Sequence, residues 1–260
     1  MLDKLKAPYI GVTGIMSAAQ AEEVLVLYTD AWKAVRCVPT HLLMLGVLAS
    51  HKTMRGEVNR WPLRYPKRED IAGCFVEHPL ALNLLHFAPG FALTDRPVEQ
   101  VEAIGRALGV AGPHCHGLQI NGTWPLPGAL RRSTPFLWRL VLQTKTLAVT
   151  TTARPEATDL LLDMSGGKGQ PADVGDAVQK IQHSPWSRGI GVAGGFCADF
   201  LPPPWVFGER GPRAAPNHGP GLSIDAEGRL RDDADGGGNL DMAKVGAYLR
   251  AAVVLAAGAA

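Results

Sequence analysis

Short runs rich in aliphatic and β-branched residues alternate with longer stretches of helical period along almost the whole chain, and this alternation constrains the fold more than any single motif. The runs are PYIGVTG (8–14), HLLMLGVLA (41–49), LNLLHF (82–87), GLQING (117–122), WRLVLQT (138–144), DLLLDM (159–164), GIGVAG (189–194) and GLSIDA (221–226). Strand, helix and strand in succession mark βαβ units, whose strands run parallel under a cover of helices. Eight such units in 260 residues predict an α/β fold: a (β/α)8 TIM barrel in a single domain over 1–260, not an open doubly wound sheet. Hydrophobic residues make up 46% of the chain, enough to fill such a core.

Helix signals fill the intervals. Ser17 is placed as an N-cap ahead of a helix reaching Val35, and further helices are expected over 66–75, 95–108, 127–132, 173–182 and 241–257. The Thr-rich 145–157 and Pro-rich 196–207 weaken any helix there, and no internal repeat is visible. Two connections, 50–64 after strand two and 201–219 after strand seven, are enlarged loops. Both follow carboxyl ends of strands, the face on which barrels build their sites, so they read either as walls and lids or as surface decoration and oligomer contacts.

Charge narrows the partners. With 26 Lys and Arg against 24 Asp and Glu the net charge is +2, so neither a basic footprint for nucleic acid nor an acidic tail is present. A small molecule is the expected partner. Cys37, Cys74, Cys115 and Cys197 contain no C-x-x-C pair and read as free thiols of a reducing compartment. MLDKLKAPYI has no secretory pattern, and AAVVLAAGAA after Arg250 is too short for a bilayer span. The expectation is a cytoplasmic monomer or homodimer with no membrane partner.

Chemistry gathers at the ends of the last three strands. In LLLDMSGGKGQPADV (160–174), Asp163 closes strand six and Gly166-Gly167-Lys168-Gly169 follows at once, a loop whose backbone N–H groups can converge on an anion. Ala193-Gly194-Gly195 closes strand seven and Asp225 to Gly228 closes strand eight. Loops after strands seven and eight are the usual phosphate site of this architecture, so a phosphorylated ligand is expected, with a tight corner as the plain alternative at each turn.

Other motifs carry less. Gly189, Gly191 and Gly194 spell G-x-G-x-x-G but precede and sit inside a strand, so they are no dinucleotide fingerprint. His114-Cys115-His116 has no further ligand at metal spacing, lies at the amino end of strand four and reads as surface histidines, so no metal is expected. His86, near the end of strand three, is either a pocket base or a polar filler. Arg64, in the loop after strand two beside Trp61 and Tyr65, suits a bidentate grip on a carboxylate, or is a solvated loop arginine.

In this order the motifs resemble phosphoribosylanthranilate isomerase, the (β/α)8 enzyme of tryptophan biosynthesis. Where that family has L-L-D, a spacer and G-G-[ST]-G-x-x-F-D-W, this chain has LLLD and GGKGQPADV. IGVTGI stands for V-K-I-C-G-I, LRYP for S-P-R-Y, LQING for V-Q-L-H-G and GVAGGF for I-L-A-G-G-L. LSIDAEG, with GGGNLDMAKVGAYL after it, stands for G-V-D-V-S-S-G and the last helix, so the resemblance covers most of the chain.

The resemblance implies an Amadori rearrangement without any cofactor, in which a base removes the C2′ proton of a ring-opened amino sugar and an acid protonates the furanose oxygen. The implied acid is Asp163, the implied carboxylate grip is Arg64, and the phosphate would lie among Gly167, Gly169, Gly194, Gly195 and Gly228. The chain departs from the pattern at the base, where the family's cysteine is Thr13 and its lysine is Gly11. Asn121 replaces the histidine of Q-L-H-G and Lys168 the threonine of G-G-T-G, both at implied substrate-binding positions. A threonine hydroxyl is far too weak an acid to stand ready as a base near neutral pH, which leaves Thr13 and His86 as the two candidates. Two other readings are a barrel acting on a different phosphosugar through Lys168 or His86, and a non-catalytic binding or assembly protein.

Overall fold

The computed structural model describes residues 2, 4, 6–88, 97–121, 139–144, 159–163, 189–202, 222–233 and 235–258. Eight strands, β1 (Tyr9–Thr13), β2 (Leu42–Ser50), β3 (Ala81–Ala88), β4 (Gly117–Asn121), β5 (Arg139–Thr144), β6 (Asp159–Asp163), β7 (Gly189–Ala193) and β8 (Ser223–Ala226), follow one another around a ring. Every neighbouring pair is parallel, and β8 pairs with β1 through Ile10 and Ile224 to close the barrel. The fold is the (β/α)8 TIM barrel that the alternation predicts.

Successive strand residues point to opposite faces, so each strand feeds two cores at once. Ile10, Val12, Leu43, Leu45, Leu85 and Phe87 belong to the outer core shared with the helices. Tyr9, Leu42, Met44, Leu82, Leu84 and Leu161 belong to the core inside the barrel. That double burial is why the strands read as continuous apolar runs instead of alternating ones.

Outside, α1 (Ala18–Val35) buries Val24, Tyr28 and Trp32, and the last described helix, α4 (Met242–Gly258), buries Val245, Leu249 and Val253. The two helices pack against each other. Ser17 caps α1 by accepting from the amide of Gln20 at 3.2 Å, and Asp241 Oδ1 caps α4 by accepting from the amides of Ala243 and Lys244 at 2.9 and 3.2 Å. Each cap satisfies N–H groups that a helix start leaves without partners.

Differences from expectation are local. The stretch 66–75 forms two single 3-10 turns, Arg68–Asp70 and Ala72–Cys74, in place of a helix. Its four consecutive charged residues, Lys67 to Asp70, are exposed and Gly73 interrupts it, so too few apolar side chains remain to dock a helical face. The connection after β2 opens with a one-turn helix, α2 (His51–Met54), because Ser50 and Thr53 form a reciprocal capping box. The helix expected over 95–108 is α3 (Pro97–Ala111). The helices expected over 127–132 and 173–182, and nearly all of the loop 201–219, lie outside the described residues.

The barrel has a closed end and a chemical end. At the amino end of the strands, Arg139 Nε donates to Asp159 Oδ2 at 2.7 Å, Nη2 to Oδ1 at 2.5 Å and Nη1 to the carbonyl of Ala7 at 2.8 Å. Its guanidinium lies 5.0 Å over the Tyr9 ring. A bidentate ion pair with its remaining donors satisfied is the arrangement that lets charge survive in such a place. His116, expected at the surface, is instead half-buried at this same end because its Nδ1 accepts from the amide of Asn83 at 2.9 Å, while His114 is exposed as expected. Above the ion pair, the apolar layer of Met44, Leu84 and Leu161 seals the interior.

All four cysteines are free thiols. Among the described residues no helix is long and apolar enough to cross a membrane.

Candidate functional site

At the carboxyl end of the strands the inward positions turn polar. Beyond the apolar layer, toward the carboxyl ends, come Thr13 on β1, His86 on β3, Gln119 and Asn121 on β4, Gln143 on β5, Asp163 on β6 and Asp225 on β8, with His86 and Asp163 two residues past Leu84 and Leu161. Register sets their levels: Asp163 lies opposite Ala193, and Ala193 opposite Asp225, so the two carboxyl groups stand on one level with β7 between them. Strand spacing puts their backbones roughly 9–10 Å apart.

Between them opens a small cleft lined by His86, Gln119, Asn121, Gln143, Asp163, Ala193, Gly194, Gly195, Asp225, Glu227 and Gly228. Of the residues singled out from sequence, His86, Asn121, Asp163, Gly194, Gly195 and Gly228 therefore converge on one cavity. Gly194 and Gly195 have φ of 142° and 67°, values that L side chains rarely adopt, so the turn after β7 depends on both being glycine. Gly167, Lys168 and Gly169 lie outside the described residues.

One wall is a hydrogen-bonded cluster. Thr13, 1% exposed, donates from Oγ1 to Asp225 Oδ1 at 2.8 Å and stands 3.3 Å from His86 Nδ1. Space for it comes from two glycines. A methyl group at position 46 would sit 2.4 Å from Thr13 Oγ1 and 2.9 Å from His86 Nε2, and one at position 11 would sit 2.8 Å from Asp225 Oδ1. The Asp225 carboxyl is raised to about 8, chiefly by burial; Glu227 and Asp163 add to the rise, while hydrogen bonds from Thr13 and Gln119 oppose it. Burial also lowers His86 to about 3, so its imidazole is neutral, and its Nε2 has no hydrogen-bond partner.

The other wall is a chain of carboxamides. Gln143 Nε2 donates to Asp163 Oδ2 at 2.5 Å, and Gln119 Nε2 donates to Gln143 Oε1 at 3.2 Å. Asp163, 3% exposed, is thus held from the β5 side with its carboxyl on the cleft.

Arg64 occupies the rim. Its guanidinium is paired with Glu227, which lines the cleft, and lies 5.0 Å over the Trp61 ring. Arg231, fully buried, stands 3.7 Å from the same Glu227 oxygen and donates to the carbonyl of Gly238 at 2.6 Å. Arg64 thus reaches the cleft through an internal carboxylate.

Sequence reading passed over Asp225 as an acid and did not single out Gln119, Gln143, Glu227 or Arg231. The signal for three of these was present: Gln119, Gln143 and Asp225 are polar residues on the inward parity of otherwise apolar strands, near their carboxyl ends. For Glu227 and Arg231 no such parity exists, since both lie in the turn beyond β8.

The arrangement offers two-sided proton transfer. A ligand in the cleft would meet Asp163 on one side and Asp225 and His86 on the other, with Thr13 bonded to both behind them and glycine turns beside it. Among the described residues no group of three metal-ligating side chains occurs. No protein-family model and no curated protein sequence matches the chain.

Proposed function

We propose that the protein is a cofactor-free sugar isomerase of the phosphoribosylanthranilate isomerase type, carrying out an Amadori aldose-to-ketose rearrangement on a phosphorylated sugar amine. The observation that carries this reading is the pair of carboxyl groups, Asp163 and Asp225, on opposite sides of a single cleft at the carboxyl end of the barrel. Such a rearrangement needs one proton removed from carbon and one delivered to oxygen, and nothing else.

Asp163 is the general acid, delivering its proton to the ring oxygen. The base lies in the cluster on the other wall. Thr13 is not that base: its hydroxyl hydrogen is committed to Asp225. Asp225, its carboxyl raised to about 8 chiefly by burial, is mostly protonated at neutral pH, and its ionised fraction is a far stronger base than an exposed carboxylate. The turns at Gly194, Gly195 and Gly228 suit the phosphate.

The test is loss of substrate fluorescence when purified protein meets freshly generated phosphoribosylanthranilate. Turnover is expected with the wild type, and Asp163→Asn is expected to lower it at least ~100-fold while inorganic phosphate still raises its melting temperature. Full activity in Asp163→Asn would overturn the assignment of the acid. Absence of wild-type turnover, with another enolisable phosphosugar consumed, would move the reading to a different substrate on the same cleft.

A further inference from the structure

Three polar groups from three strands, Asp225 on β8, Thr13 on β1 and His86 on β3, are joined in series at the cleft wall, and the hydrogen count along the series fixes what the last atom presents. Thr13 has one hydroxyl hydrogen. When Asp225 is ionised, that hydrogen goes to Asp225 Oδ1, as the 2.8 Å contact has it, and Thr13 Oγ1 is left only as an acceptor. The bond to His86 Nδ1 at 3.3 Å is then satisfied only if Nδ1 carries the ring hydrogen, which leaves a lone pair on Nε2, the atom without a partner. When Asp225 is protonated on Oδ1, every bond in the series reverses: Asp225 donates to Thr13, Thr13 donates to Nδ1, and the ring hydrogen belongs on Nε2.

We infer that Asp225, Thr13 and His86 form a proton relay in which His86 Nε2 is the atom that takes the proton from the ligand and Asp225 is where the charge is settled. The inference deepens the isomerase reading and rests on it for the identity of the proton donor.

The step balances. Nε2 gains the substrate proton, Nδ1 releases its own to Thr13 Oγ1, and the original threonine hydrogen passes to Asp225 Oδ1. The imidazole begins and ends neutral, and one negative charge moves from carboxylate to substrate. This resolves an otherwise poor base: an isolated imidazole buried to a value near 3 holds a proton weakly, whereas the relay lends its Nε2 the basicity of the carboxyl behind it. Nε2 is buried next to Gly46, and the residue His86 lines the cleft, so a ligand seated there is the partner we assign to Nε2. Thr13 is a positioning residue that connects the other two.

The groups acting on Asp225 come from several elements. Thr13 and Tyr9 do so from β1, Gln119 from β4, Asp163 from β6, Glu227 from the turn after β8 and Tyr248 from α4. Of these Asp163 and Glu227 carry the other carboxyl groups, and either, when ionised, raises the Asp225 carboxyl without reversing the order of hydrogens along the series.

The test is the tautomer of His86 in ¹⁵N-histidine-labelled, ligand-free protein between pH 6.5 and 9.5, with the resonance assigned by loss in His86→Gln. Nδ1 and Nε2 shifts are expected to exchange donor and acceptor character together with the Asp225 carboxyl, at a midpoint near 8. Thr13→Val is expected to hold one tautomer throughout, and Thr13→Ser to restore the exchange. A wild-type tautomer that stays constant while the Asp225 carboxyl titrates would overturn the relay, and so would exchange that persists in Thr13→Val. The readout needs no substrate. Phosphoribosylanthranilate turnover with a constant tautomer would overturn the relay alone, and tautomer exchange without turnover would sustain the relay while overturning the isomerase reading.

Discussion

Thr13 on β1 and Asp225 on β8 meet across the barrel seam at 2.8 Å, and the hydroxyl of the one is a ligand to the carboxyl of the other. The contact holds a titrating group that is largely buried, so folding itself becomes sensitive to its proton.

The pH dependence of stability follows in sign. Asp225 titrates at about 8 in the folded chain against 3.8 ordinarily, so between those values the native state holds a proton that the unfolded state has lost, and stability falls as pH rises. His41, His86 and His116 act oppositely. Burial lowers them to about 4, 3 and 4 from 6.5, so below 6.5 the unfolded state binds more protons and stability rises with pH. Three such groups outweigh one, and the expected maximum lies near pH 6.5. Above it, through pH 8, Asp225 alone contributes a decline of at most about 1.4 kcal/mol per pH unit. Urea midpoints at pH 6.5, 7.2 and 8 check this, and Asp225→Asn is expected to flatten the decline.

Replacing Thr13 by Val removes one of the two hydrogen bonds that pull the Asp225 carboxyl down, so that carboxyl is expected to rise further and the alkaline limb of any pH profile to move with it. The lost buried bond costs about 1–3 kcal/mol of stability. A ¹³C titration of the Asp225 carboxyl in both proteins measures the displacement. An unchanged midpoint would mean that the contact carries no weight.

Gly46 leaves a void that the cluster fills. Gly46→Ala puts a methyl 2.4 Å from Thr13 Oγ1 and 2.9 Å from His86, neither of which has slack inside the barrel. An overpacking cost of about 1–3 kcal/mol is expected, with the His86 ring displaced and turnover reduced more than stability. Denaturation alongside the fluorescence assay separates the two effects.

The barrel was legible because its signal is spread over many residues, each doubly buried strand repeating the same apolar pattern. The site was legible in part. Asp163, Gly194, Gly195 and Gly228 stood out because an acid or a glycine turn at a strand end has few other uses there, and His86 because a histidine inside an apolar run is conspicuous. Asp225 was hidden by its neighbours: in SIDAEG it reads as part of a glycine turn, and only the register with Ala193 and Asp163 makes it the second carboxyl of the cleft. The contact of Thr13 with Asp225 joins the first strand to the last across 212 positions, a relationship that spacing along the chain does not encode. The helix expected over 66–75 failed for a different reason, since local propensity had no apolar face there to anchor it.

Glu227 holds two guanidinium groups, that of Arg64 by a direct ion pair and that of Arg231 at 3.7 Å. Arg64 Nε and Arg231 Nε and Nη2 are buried without hydrogen-bond partners, so this corner is rich in donors and carries one carboxylate between two cations. Glu227→Gln removes that carboxylate and leaves the cations facing each other. The expected loss is about 2–3 kcal/mol, below the range for a fully buried pair because Glu227 keeps part of its surface in water. An added anion then has a charge to neutralise that the wild type neutralises internally. Inorganic phosphate or benzoate is accordingly expected to raise the melting temperature of Glu227→Gln more than that of the wild type, and Arg64→Gln placed on the same background to abolish the difference. Equal shifts in wild type and Glu227→Gln would show that Glu227 does not occupy an anion position, and that Arg64 reaches ligands, if at all, without displacing it.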